Sequence, residues 1–122
     1  ELACAPDLQQ FCKLRVLDLS GNYIKKVIGL DSNKDLRELK LYDNDISTIE
    51  GFQHLNELCC LQLQHNKLTT VGRGLSNLKK LQSLRLDNNQ IARLEIPELL
   101  SCSNITTLDL SHNRLESLAP LS

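Results

Sequence analysis

A six-residue stretch near the start of the chain returns almost unchanged near its end. LDLSGN occupies residues 17–22 and LDLSHN occupies residues 108–113, and variants of the same pattern lie between them. An asparagine closes each copy, and the intervals between these asparagines are 22, 22, 23 and 24 residues. They are Asn22, Asn44, Asn66, Asn89 and Asn113. A repeat period of this length predicts a solenoid, in which each repeat contributes one coil.

Each repeat follows the pattern LxxLxLxxNxL, with isoleucine allowed at the first and last apolar positions, and the repeats begin at residues 14, 36, 58, 81 and 105. The central L-x-L alternates at period two, which indicates a short strand with one buried face. The chain must then return along the outside, because parallel strands need a crossover connection. We therefore expect five parallel strands with buried leucine pairs, which are Leu17/Leu19, Leu39/Leu41, Leu61/Leu63, Leu84/Leu86 and Leu108/Leu110.

The asparagine after each strand is expected to bond to turn backbone. Its amide both donates and accepts hydrogen bonds, and buried backbone groups need such partners. The outer half of each repeat supplies further apolar residues, such as Phe52 and Leu55. In the first repeat Asn33 stands where a core residue belongs. Either Asn33 makes a hydrogen bond inside the protein or the segment 31–35 is loose, and we favour the loose segment.

Residues 36–57, LRELKLYDNDISTIEGFQHLNE, resemble the 22-residue leucine-rich repeat of the phosphatase-regulator-like class. The leucine-rich resemblance extends over about residues 8–121. It implies an α/β-type solenoid: a right-handed superhelix with a concave parallel β-sheet and short helical or extended segments on the convex side. It also implies a protein partner, because members of the class share partner binding rather than one chemistry.

The same alignment predicts one leucine-rich repeat domain over residues 1–122. Residues 1–13 fit the outer half of a preceding repeat, and the fifth repeat, which begins at residue 105, is truncated. A solenoid end normally needs a polar cap over its core, and neither end of this sequence contains one. We therefore expect the chain to be a fragment of a longer protein, present as a monomer or as part of a larger complex.

Composition excludes several kinds of partner. The net charge is −1, whereas proteins that neutralise phosphates usually carry a basic surplus, so we expect no nucleic acid. No apolar run approaches the roughly 18–20 residues that span a bilayer, so we expect no membrane. The five cysteines are scattered, which favours a reducing compartment without disulfides. We expect an intracellular protein, in the cytoplasm or alternatively in the nucleus or cilium.

No arrangement of side chains predicts catalysis. Asp18 and Asp109 share a column of the predicted sheet but lie four strands apart, roughly 19 Å, which is too far for a glycosidase pair. We expect them instead in cross-strand ion pairs, Asp18 with Lys40 and Arg85 with Asp109.

The histidines and cysteines do not predict a metal site either. His65 and His112 lie two strands apart, about 10 Å, which is too far for one zinc ion. Cys59 and Cys60 are adjacent in a strand and should point to opposite faces, with Cys60 toward the groove. We therefore expect no enzyme activity, no cofactor and no metal.

The concave face is the predicted binding surface. Tyr42 and Arg85 should dominate binding, because tyrosine and arginine are favoured hot-spot residues. The predicted partner-binding residues are Glu38, Lys40, Tyr42, Gln62, Gln64, Arg85 and Asp87. Two alternatives stay open: a structural segment of a longer array in a large ciliary or cytoskeletal assembly, and an accessory domain of a larger enzyme.

Overall fold

The computed structural model describes residues 11–95, 104–115 and 117–119. These ranges contain seven strands of three residues each: β1 (Val16–Asp18), β2 (Glu38–Lys40), β3 (Cys60–Gln62), β4 (Ser83–Arg85), β5 (Arg93–Glu95), β6 (Thr107–Asp109) and β7 (Ser117–Ala119). One strand from each repeat enters a parallel five-stranded sheet in the order β1-β2-β3-β4-β6. The five predicted parallel strands and the solenoid are therefore confirmed.

The repeats stack in register, so that equivalent residues pair across the whole sheet. The middle leucine of each strand pairs with the middle leucine of the next, in the series Leu17, Leu39, Leu61, Leu84 and Leu108. β5 and β7 form a second, two-stranded parallel sheet, which the sequence pattern did not predict. The outer segments consist of turns and extended backbone, and the described residues include no helix.

The leucine pairs of the three inner strands form the centre of the core. Their side chains, from Leu39 to Leu86, are completely buried. At the ends of the sheet the prediction of buried leucines is wrong in part, because Leu108 is 38% exposed and Leu17 is only partly buried. Among the described residues, β1 and β6 each have a neighbouring strand on one side of the sheet only. Burying a leucine stabilises a fold by about 1.5–3 kcal/mol, so the inner repeats contribute most to stability.

The asparagines bond to turn backbone, as predicted, and four of them also connect their coil to the coil before it. Asn66 donates its Nδ2 to the carbonyl oxygens of Leu41 and Leu63, both at 3.0 Å, and its Oδ1 accepts from the Ile46 amide at 3.0 Å. Leu41 and Ile46 belong to the preceding repeat, so one side chain connects two coils. The equivalent three bonds occur at Asn44, Asn89 and Asn113.

Asn33 is also ordered by hydrogen bonds, so the expectation of a loose segment 31–35 is wrong. The residue is fully buried, and its Nδ2 donates to the carbonyl of Phe11 at 3.0 Å. Its backbone joins two turns, because the Asn33 amide donates to Leu30 and the Leu36 amide donates to Asn33. A buried amide side chain is tolerated when it is hydrogen-bonded, and here it links the outer segment to the preceding coil.

Two glycines allow the outer segments of neighbouring coils to touch. A Cβ atom on Gly51 would overlap the carbonyl oxygen of Val27, and a Cβ on Gly74 would overlap the carbonyl oxygen of Ile49. Both glycines precede a buried apolar residue, Phe52 or Leu75, by one position. The contact therefore requires a residue without a side chain at this point of the second and third coils.

We expect Asn66→Ala to lower the free energy of unfolding by about 1–3 kcal/mol, because buried backbone groups in two coils lose their hydrogen-bond partner. Chemical denaturation measures this change. Asn77→Ala is the matched control, since Asn77 makes a cross-coil bond to the Gln53 carbonyl that is exposed to solvent. If Asn77→Ala lowered the free energy of unfolding as much as Asn66→Ala, the buried asparagine bonds would not be stronger contributors to stability than an exposed one.

We expect Gly74→Ala to lower the free energy of unfolding by at least about 2 kcal/mol, because the overlapping atom is backbone and the coils must separate. At Gly72 a Cβ meets nothing within 4 Å, and only the positive φ of 63° opposes the substitution. Gly72→Ala should therefore cost about 1 kcal/mol. Thermal and urea unfolding measure both variants. A smaller loss of stability in Gly74→Ala than in Gly72→Ala would contradict the close backbone contact at Gly74.

Candidate partner-binding face

The outward side of the five-stranded sheet presents three columns of side chains, which we call the sheet face. Alternation along each strand turns the leucines into the core and their neighbours outward. The parallel register then places equivalent residues about 4.8 Å apart on adjacent strands. The columns are Val16, Glu38, Cys60, Ser83 and Thr107; Asp18, Lys40, Gln62, Arg85 and Asp109; and Ser20, Tyr42, Gln64, Asp87 and Ser111.

The structure places all seven predicted partner-binding residues on the sheet face. Five of them are half-buried: Glu38, Lys40, Tyr42, Gln62 and Arg85. The other two are nearly inaccessible, since Gln64 is 5% exposed and Asp87 is 3% exposed. The sequence pattern did not reveal this difference, because all seven occupy outward positions of the repeat. Direct contact with a partner is therefore available mainly to the first five.

Arg85 and Asp87 form a two-point ion pair within one repeat. Arg85 Nε lies 3.1 Å from Asp87 Oδ1 and Nη2 lies 3.0 Å from Oδ2, while Asn88 Nδ2 donates to the same carboxylate at 3.1 Å. The predicted pair of Arg85 with Asp109 is wrong. Residues two apart in extended backbone share a face, and the carboxylate of the same repeat meets the guanidinium with the geometry that arginine prefers.

Lys40 behaves in the same way. Its Nζ lies 3.9 Å from Glu38 Oε2, two residues earlier in the strand, and not in the predicted ion pair with Asp18. Both side chains are about a third exposed, so this contact contributes little to stability. On the sheet face, each of the two basic side chains is therefore next to an acid of its own repeat.

The acids at the two edges of the sheet face are engaged by serines. Asp18 Oδ1 accepts from the Ser20 hydroxyl at 2.6 Å and from the Ser20 amide at 3.0 Å. Asp109 Oδ1 accepts from the Ser111 hydroxyl at 2.7 Å and from its amide at 3.0 Å. The hydroxyl bond, followed by the amide bond, lowers the pKa of each carboxyl, and the more distant Lys40 and Arg85 charges lower it further. The repeated LDLS thus encodes the same hydrogen-bonded turn in β1 and β6.

The histidines of the repeat are explained by backbone conformation. One residue per coil, directly before the asparagine, has a φ between 56° and 70°. Glycine adopts this left-handed region freely, and asparagine, aspartate and histidine adopt it more readily than other residues. The column consists of Gly21, Asp43, His65, Asn88 and His112. These residue types at one position of every repeat indicate a positive φ, which the sequence-based prediction did not include.

The cysteine side chains diverge as predicted. Cys60 lies on the sheet face, where Gln62 Nε2 is 3.9 Å from its sulfur, whereas Cys59 Sγ donates to the Glu57 carbonyl at 3.4 Å. Within residues 11–95, 104–115 and 117–119, Cys12, Cys59 and Cys60 are free thiols. In the same part of the chain, no three His, Cys, Asp or Glu side chains are grouped to hold a metal ion.

Comparison with known proteins gives the family. The leucine-rich repeat family profile matches residues 2–119, and the chain belongs to the leucine-rich repeat family. It is 35% identical over 118 residues to the U2 small nuclear ribonucleoprotein A' of Arabidopsis thaliana, covering 94% of this chain and 47% of that protein. It is 36% identical over 92 residues to the Arabidopsis thaliana protein phosphatase 1 regulatory inhibitor subunit PPP1R7 homolog, covering 75% of this chain and 28% of that protein.

A solved structure agrees with this family. Internalin C2 from Listeria monocytogenes superimposes with a TM-score of 0.80 at 29% identity, over 94% of this chain and 48% of that one. The chain spans less than half the length of these three proteins. Within the described residues, no helix has the length and apolar character needed to cross a membrane.

We expect the Arg85–Asp87 pair to show a coupling free energy of about 1 kcal/mol in a double-mutant cycle, because the contact is two-pointed but Arg85 is partly solvated. Arg85→Ala, Asp87→Ala and the double variant would be compared by urea denaturation. The Glu38–Lys40 cycle is the control and should give less than about 0.5 kcal/mol. If the effects of the two substitutions on the free energy of unfolding simply add, the ion pair does not contribute to stability.

We expect Ser111→Ala to raise the pKa of Asp109 toward the ordinary value, since the hydroxyl bond is the largest cause of its lowering. A folded-state pKa below the unfolded value of about 3.9 stabilises the fold at higher pH, and this contribution is lost as pH falls through the folded value. The variant should therefore be less stable than the parent near neutral pH and converge with it in acid. Carboxyl NMR titration checks the shift, and an unchanged Asp109 pKa would contradict the assignment.

Proposed function

We propose that this chain is a non-catalytic interaction module that binds a protein partner through the sheet face. The observation that carries the proposal is the arrangement of polar and aromatic side chains on β2, β3 and β4, directly above completely buried leucines. The fixed backbone below them lowers the ordering cost that binding must overcome. Membership of the leucine-rich repeat family supports the same function.

Tyr42 is the proposed anchor of the interface. It is half-buried on the sheet face, and an aromatic ring offers a large contact area with few rotatable bonds. Arg85 lies two strands away, about 10 Å, so one partner segment can contact both residues. Glu38, Lys40 and Gln62 supply polar contacts around them. Asp87 holds Arg85 in position, and Gln64 lies beside Tyr42 near the centre of the face.

A structural role in a longer array is the second candidate. It is supported by the similarity to a ribonucleoprotein component that is more than twice the length of the matched segment. In this case residues 1–122 are one leucine-rich repeat domain of a longer chain, and the sheet face packs within an assembly. An intracellular location, in the cytoplasm or nucleus, is part of the proposal and is supported by the nuclear relative and by the three free thiols.

We expect Tyr42→Ala to weaken partner binding by at least about 2 kcal/mol, the scale of a hot-spot residue. The partner would be found by proximity labelling with the full-length parent, purified, and titrated calorimetrically against each variant. Lys34→Glu on an outer segment is the control and should leave affinity unchanged.

The reverse result would show that the sheet face is not the binding surface. If Lys34→Glu abolishes binding while Tyr42→Ala preserves it, the partner contacts the outer segments. Thermal unfolding of both variants must first show that each remains folded.

A further inference from the structure

We propose that the sheet face selects a basic protein segment, one that carries lysine or arginine side chains. The inference rests on the proposed function, because it names the chemistry of the partner at the same surface. Among the described residues of the sheet face, the basic side chains are paired with carboxylates of the protein, whereas several carboxylates are not paired with a basic side chain.

The basic side chains of the sheet face are already compensated. Arg85 is held against Asp87 through two nitrogen–oxygen contacts, and Lys40 is 3.9 Å from Glu38. An acidic partner would have to compete with these internal carboxylates for either cation. These two pairs make the centre of the sheet face close to neutral.

Carboxylates without a cation remain around this neutral centre. In the described part of the chain, Asp18, Asp43 and Asp109 are in no ion pair within 4.0 Å. Asp18 and Asp109 lie on the two edge strands, and hydrogen bonds from Ser20 and Ser111 lower the pKa of these carboxyls. Asp43 is exposed at the turn next to Tyr42. The carboxylates of the sheet face that are outside ion pairs therefore lie at both edges and at the turn.

Gln64 provides an independent observation at the centre of the sheet face. Gln64 is 5% exposed, and its side-chain Oε1 is buried without a hydrogen-bond partner. The stacking of the coils places it between Tyr42 and Asp87, each two residues past the end of its strand, since the Asp43 amide donates to the Gln64 carbonyl and the His65 amide donates to the Asp87 carbonyl. A buried acceptor without a donor costs stability, and the missing group is a hydrogen-bond donor, which an N–H can supply. Lysine and arginine side chains supply only N–H donors.

The two observations together define the spacing of the partner's charges. Asp18 and Asp109 are four strands apart, roughly 19 Å across the sheet. An extended segment rises about 3.3 Å per residue, so about six residues cross the face. The expected segment carries one basic residue near each edge, and a central donor directed between Tyr42 and Gln64. A cation at that centre can also lie over the Tyr42 ring.

A library of random 12-residue peptides displayed on phage tests this inference without knowledge of the natural partner. The library would be selected against the immobilised parent chain at low salt, and enriched peptides would be synthesised. We expect enriched sequences to be rich in lysine and arginine, with two basic residues five to seven positions apart. Their affinity should fall as salt rises, because the edge carboxylates are exposed to screening.

Two variants locate the binding of the enriched peptides. Asp18→Asn with Asp109→Asn removes both edge charges while keeping an oxygen that accepts the serine bonds, and should weaken binding at least fivefold. Asp31→Asn with Glu50→Gln removes two exposed charges from the outer side and should leave affinity unchanged. Circular dichroism confirms the fold of each variant before the titration.

The outcomes separate this inference from the proposed function. Enriched peptides that are neutral or acidic, or that bind the edge-charge variant as tightly as the parent, overturn the basic partner. If such peptides still lose affinity with Tyr42→Ala, the sheet face remains the binding surface. If basic peptides lose affinity only for the variant with Asp31→Asn and Glu50→Gln, they bind on the outer side. That result overturns both the basic partner at the sheet face and the proposed function of this face.

Discussion

The buried asparagine amide is the interaction on which the other features depend. Each inner asparagine bonds two carbonyls and one amide, and these atoms belong to two successive coils. Because the same three bonds recur at Asn44, Asn66, Asn89 and Asn113, every coil turns at the same point relative to its neighbour. The strands consequently align leucine against leucine, and the side chains between the leucines form straight columns on one surface.

This register also explains what the outer segments require. Coils held at a constant separation leave no room for a side chain at Gly51 and Gly74, where backbone meets backbone. They also require a residue that accepts positive φ just before each asparagine, which accounts for His65 and His112. Residues that look like functional candidates in the sequence are therefore explained by the geometry of the repeat.

The sequence predicts the parallel sheet, its register and the asparagine bonds, because each depends on a short pattern that is repeated five times. It predicts single positions less well. Asn33 breaks the apolar pattern, and only the structure shows its bond to the Phe11 carbonyl in the preceding segment. The predicted ion-pair partners of Arg85 and Lys40 were also wrong. The columns of the sheet suggest cross-strand pairs, whereas both side chains pair with an acid of their own repeat.

The two tyrosines of the chain provide the most direct test of the binding face. Tyr42 lies on the sheet face, whereas Tyr23 follows Asn22 in a turn and is 56% exposed. Hydroxyl-radical footprinting with mass spectrometry would measure the oxidation of both rings in the free chain and in the partner complex. The account predicts that saturating partner protects Tyr42 and leaves Tyr23 unchanged. Protection of Tyr23 with full oxidation of Tyr42 would contradict it.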